Sequence, residues 1–152
     1  MLKLLTDLIT AERIDYPEDG VASVSGYQGS WVTLDSNSEL TLTSTAAKPA
    51  YPIWNEGLYV KSGTSYTETV GFTDDVTETN KLTVLTGKHR AWTNQYTGTP
   101  AVGNILAVTA TGVLSVQASP GDGLAVAVCT HAASSTVDYR GITFTCIQYE
   151  TL

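Results

Sequence analysis

Charge is scarce in this chain. Only 15% of its 152 residues are Asp, Glu, Lys or Arg, against about a quarter in most folded domains. Disorder normally needs low hydrophobicity together with high charge, and a 42% apolar content breaks that combination. Positive charge is scarcer still. With 8 basic against 15 acidic residues the net charge is −7, so the chain lacks the basic field that displaces counterions from nucleic acid. Attraction to an anionic membrane surface is disfavoured on the same ground. No apolar run approaches the ~20 residues that a membrane-crossing helix needs.

Cysteine and histidine number 2 each, too few for the usual Cys/His zinc clusters. Cys129 and Cys146 each sit in an apolar run, the setting of a buried thiol that behaves as a small hydrophobe. Whether they pair depends on whether their strands are neighbours with suitable Cβ geometry, and both readings stay open. Phosphate-binding loops of the Gly-x-Gly-x-x-Gly and Gly-x-x-x-x-Gly-Lys kinds are missing, as is a Gly-x-Ser-x-Gly nucleophile elbow. Asp74-Asp75-x-x-Glu78 lacks EF-hand spacing and reads as a solvated loop. No metal, no cofactor and no enzymatic activity are expected.

What fills the composition instead is Thr, Ser, Gly, Val and Tyr, a mixture that favours strands and turns. One domain of ordinary size is expected, since a chain of this length folds around a single core. Residues 1–16 read as an N-terminal helix or arm and 17–152 as the β-domain. Leu2, Leu5, Leu8 and Ile9 recur at helical spacing, which predicts a short helix over 1–14. Such a stub is marginal alone. It packs either on its own domain or on a neighbouring subunit. Asp7 interrupts its apolar run and no small-residue cleavage site follows, so it is expected to be retained rather than removed as a secretion signal.

Beyond Asp15-Tyr-Pro-Glu-Asp-Gly20 the helical period is lost. Strands are expected over 30–34, 39–43, 65–72, 81–86, 88–93, 104–109, 113–116 and 124–130, with turn signals between them. Residues 44–60 read as irregular, anchored by Trp54 and Tyr59, and 73–80 as a polar loop. Ala132-Ala-Ser-Ser135 reads as a loop, and 136–149 as one strand bent at Gly141. Even spacing of short strands predicts an antiparallel β-sandwich or barrel-like fold. Lys88-His89-Arg90, with Trp92 and Tyr96 close behind, is the only basic cluster. It is either a solvated strand with Trp92 in the core or a contact patch, since Arg and aromatic residues are enriched at interfaces.

The stretch from Lys81 through Val102-Gly-Asn104 to Val108, followed by Thr111-Gly-Val-Leu-Ser115 and Gly123-Leu-Ala-Val-Ala-Val128, resembles the small decoration or cement proteins of tailed-phage heads. The resemblance spans residues 81–149, with Asn104 where Asp is more usual. It implies a structural protein made in the host cytoplasm. Such a protein binds the major capsid protein on the outside of the virion, commonly as a homotrimer at three-fold positions, and has no catalytic residues. Proteins of this kind stabilise the shell they bind by mass action, and a trimer adds multivalency. Two other classes fit the composition. One is a carbohydrate- or receptor-binding module using exposed members of Trp31, Trp54, Trp92 and the tyrosines. The other is a different virion part, such as a tail-tube or head-completion subunit.

Overall fold

Alternation of side-chain burial organises the best-defined part of the chain. In the segment Arg90–Thr93, Ala91 and Thr93 are buried while Arg90 and Trp92 are half-buried, the period of two that a strand covered on one face produces. The computed structural model describes residues 2–5, 12–16, 26–27, 29–34, 38, 40–41, 50–54, 58–62, 65–69, 75–76, 82–139 and 142–152. All regular structure among them is β, and antiparallel pairing joins every strand pair.

The strands are β1 (Leu2–Leu4), β2 (Glu12–Tyr16), β3 (Gly26–Tyr27), β4 (Trp31–Leu34), β5 (Leu40–Thr41), β6 (Ala50–Pro52), β7 (Leu58–Ser62), β8 (Ser65–Thr69) and β9 (Asp75–Val76). They continue with β10 (Leu82–Thr86), β11 (Arg90–Thr93), β12 (Ile105–Val108), β13 (Leu114–Val116), β14 (Leu124–Tyr139) and β15 (Ile142–Thr151). A six-stranded sheet runs in the order β1-β11-β15-β14-β12-β13, and a three-stranded sheet in the order β5-β4-β6. Trp31 of β4 shares one buried cluster with Leu2, Leu106, Leu114, Ala127, Ile147 and Tyr149, so the smaller sheet packs on a face of the larger one. The backbone N–H of Trp31 donates to Gly112 O at 2.7 Å, tying the two together at the β12–β13 turn.

The mainly antiparallel β class stands as expected. Several local expectations are corrected. The helix over 1–14 is not formed by the described residues of that stretch: Leu2–Leu4 pairs with β11 and Glu12–Tyr16 with β10. A short apolar stub is marginal as an isolated helix, and pairing places Leu2 in the main core at 3% exposure. Residues Leu2 to Leu5 therefore pack on their own sheet. Leu8 and Ile9 lie outside the described residues. Within 44–60, β6 and the start of β7 replace irregular chain, and β9 falls in the expected polar loop.

The third correction is the largest. Ala132-Ala-Ser-Ser135 is part of β14 rather than a loop, and 136–149 is two strands rather than one. Tyr139 is opposite Ile142, so β14 and β15 form a long hairpin. Small polar residues signal a loop in sequence, yet here they ride a strand whose register shifts between Cys129 and Ser135. Bulges of this kind absorb residues that do not fit the alternation. The two cysteines are both buried and both free. Cys129 lies opposite Tyr149 and Cys146 opposite Ser135, so the register keeps them apart.

Candidate functional site

Among the described residues, the long hairpin extends past the pairing of its sheet neighbours. The pairing of β12 with β14 ends at Val128, and that of β11 with β15 ends at Ile147. From Ser135 to Tyr139, β14 has only β15 beside it among the described residues. Five residues of antiparallel strand span about 15 Å. Among the described residues the outer part of the hairpin is thus a two-stranded ribbon.

Residues directly opposite each other share a face of such a ribbon. Thr136 with Thr145 and Asp138 with Thr143 form one face, and all four are exposed. The Thr143 hydroxyl donates to Asp138 Oδ1. Val137 with Phe144 and Ser135 with Cys146 belong to the other face, which Ile142 extends towards the tip. Along it burial fades from Cys146, fully buried, through half-buried Phe144 to Ile142 at 48% exposure. An apolar stripe therefore emerges from the core and runs into solvent.

Trp92 holds the root of that stripe. It packs on the Val137–Cys146 cluster, and its ring lies 5.0 Å from that of His131. His131 Nδ1 and the Thr130 hydroxyl both bond to Gln148 Oε1, at 2.9 and 2.8 Å. Tyr96 packs against the main core, and its hydroxyl donates to Ala133 O at 3.1 Å. Burial, and then the nearby Cys146, raise the Tyr96 phenol above its usual range. Burial pushes the Cys146 thiol up to about 11 and raises Cys129 as well.

The basic trio of the sequence does not form one patch. Lys88 is exposed, and Arg90 is half-buried with Nε donating to Glu150 Oε2 at 3.1 Å across the β11–β15 pair. His89 points the opposite way and is 3% exposed. Gly87 O can only accept, so His89 Nδ1 carries the hydrogen that bonds to it at 3.1 Å. Nε2 then accepts from the Tyr149 hydroxyl at 3.1 Å. The two rings meet edge to face with centroids 5.6 Å apart. Burial lowers the His89 pKa to about 4, against a weaker opposing pull from Gly87 O. His89 is a neutral core residue, joined to a fully buried Tyr149 whose pKa burial also raises.

Of the residues singled out in the sequence, the fold thus brings Trp92 and Tyr96 to the base of the ribbon. Lys88 and Arg90 lie on the sheet's other end, and Leu2 and Leu5 on its β1 edge. Sequence reasoning missed Ile142, Phe144 and Val137. Their signal was the alternation Ile142-Thr-Phe-Thr, read as one strand with what precedes it. Among the described residues no group of three or more His, Cys, Asp or Glu is placed to hold a metal ion. Comparison of the chain with protein-family models, with curated proteins and with solved structures finds no match in any of the three.

Proposed function

We propose that this protein is a structural subunit of a virion, bound to the outside of an icosahedral phage head through the major capsid protein and stabilising it, as a homotrimer. The observation that carries the reading is the β14–β15 ribbon beyond Ser135. It presents an apolar stripe ending at Ile142 on one face and a row of threonines on the other. Surfaces of this kind bind by packing and by backbone and hydroxyl hydrogen bonds, which suits a protein that contributes contacts. A shell-bound subunit of this kind acts by favouring the closed shell over its opened state.

The glycan-binding alternative needs an exposed aromatic platform. Trp31 is buried, and Trp54 and Trp92 are half-buried in packed clusters, which leaves that reading with less support. The test is co-sedimentation of the protein with emptied phage heads, together with light scattering of the protein alone. Retention on heads and a mass three times 16.1 kDa are expected. A monomer at every concentration that never sediments with heads would overturn the proposal.

A further inference from the structure

From Ala91 to Gly121 the sequence contains no Asp, Glu, Lys, Arg or His, and the 15 acidic and 8 basic residues of the chain all lie elsewhere. Much of this uncharged stretch is nevertheless surface, since residues 97–99, 101–103, 110–111 and 118–121 are exposed. Its large exposed apolar side chains gather at one corner of the six-stranded sheet, where β12 begins and β13 ends. Val116 stands opposite Leu106, the chain neighbour of Ile105, and both Ile105 and Val116 are exposed. Val102, just ahead of β12, is 67% exposed. Exposed apolar side chains on a surface depleted of charge are the composition of an interface core.

Hydrogen bonds fix the turn that carries Val102. Asn104 N–H donates to Ala101 O at 3.0 Å, and Ala101 N–H donates to Asn104 Oδ1 at 2.9 Å. Gly103, with φ of +88°, donates its N–H to Cys129 O at 2.8 Å. Ala133 N–H donates to Pro100 O at 3.0 Å, so β14 holds the turn from both sides. A side chain presented on a turn already ordered in this way loses little freedom when a partner covers it.

Charge and symmetry name the occupant. Copies of a chain with net charge −7 repel one another, and this corner lets them meet without bringing like charges together. A heterologous contact in a closed ring needs two different patches on every subunit. The ribbon supplies the first, an apolar stripe ending at Ile142 with Asp138 turned to the other face. We propose that the corner formed by Val102, Ile105 and Val116 is the second patch, and that it receives the Ile142 end of the ribbon of the next copy. The inference rests on the homotrimer reading and adds to it the surface on which each ribbon docks.

The experiment is light scattering of the full-length protein and of two variants, Val102→Asp and Ile142→Asp, alone and mixed. Wild type is expected at three times 16.1 kDa and each variant alone at one. Both positions are exposed, so at low concentration each variant should keep the thermal midpoint of wild type. In an equal mixture the intact ribbon of Val102→Asp meets the intact corner of Ile142→Asp. A species of twice 16.1 kDa should then form that neither variant gives alone. Val102→Ser, which removes the apolar contact and adds no charge, should weaken assembly about tenfold. A wild-type trimer whose mass Val102→Asp leaves unchanged would sink this inference and keep the trimer. Two monomeric variants whose mixture stays monomeric would overturn the pairing of corner with ribbon. A monomeric wild type would overturn the trimer reading itself, and this inference with it.

Discussion

At the scale of single residues the His89–Tyr149 pair has the clearest consequence. An unfolded histidine titrates near 6.5, whereas burial holds His89 to about 4. Between those values the unfolded chain binds the proton and the folded one does not. The contribution is therefore fully present above pH 6.5 and is lost as pH falls towards 4, to a total of about 3 kcal/mol. Urea unfolding at pH 7, 5 and 4 should show the fall, superposed on that of the carboxylates. In His89→Phe this part of the slope should vanish, so the difference between the two curves isolates it. The ring's hydrogen-bond partners among the described residues are Gly87 O and the Tyr149 hydroxyl. Tyr149→Phe keeps the ring and removes only the hydroxyl that donates to Nε2. It should destabilise the protein by about 1 kcal/mol at pH 7, read from urea unfolding. The burial of His89 was present in the sequence in one respect. Alternation from Ala91 and Thr93 back to His89 puts all three on the covered face, away from Arg90 and Trp92. The basic flanks of His89 masked that signal.

At the scale of elements, turns and edges decide what could be read in advance. β10 to β13 and the start of β14 were legible because Gly-containing turns punctuate short runs of alternating residues. One of these glycines is under a double constraint. Gly123 has φ of +76°, and a Cβ there would stand 3.3 Å from Ala107 Cβ and 3.6 Å from Val108 O. Gly98 has φ of +75° and open space around it. Left-handed backbone costs an L-residue about 1–2 kcal/mol. Gly98→Ala should show that amount alone, and Gly123→Ala visibly more, when the two midpoints of thermal unfolding are compared with wild type. Equal losses would mean that Ala107 yields freely. The N-terminal element was illegible for the opposite reason. Leu2, Leu5 and Leu8 satisfy a helical period, and what overrides it is an edge of β11 almost ninety residues away in sequence, information that no local window contains. Leu2→Ala removes a buried side chain from the main cluster. It should destabilise by about 2–3 kcal/mol, at the low end of core truncations because β1 is a three-residue edge strand.

At the scale of the whole molecule, the proposed assembly contact and the main core fall on different residues, and this makes them separable by experiment. Strand order, which sequence did not provide, places β1 at one edge of the six-stranded sheet and the β14–β15 hairpin through its middle. Leu2 therefore serves the fold. The apolar stripe of the ribbon beyond Ser135 runs from buried Val137 to Ile142, which is 48% exposed. A projecting element that docks on a different surface of the next subunit makes a heterologous contact, and such contacts close into rings such as a trimer. Ile142→Asp puts a charge on that stripe near the tip while leaving Cys146 and Val137 buried at its root. The expected outcome is a fall in mass from three times 16.1 kDa to one, with the thermal midpoint of the dissociated chain close to that of wild type at low concentration. Leu2→Ala should behave in the reverse way, with a lower midpoint and an unchanged mass while the protein is folded. If Ile142→Asp left the mass unaltered and Leu2→Ala dissociated the oligomer, the interface would lie on the β1 edge and the ribbon would be free for the shell. If both left a monomer that was monomeric before substitution, the trimer would be gone and shell binding would have to rest on single subunits.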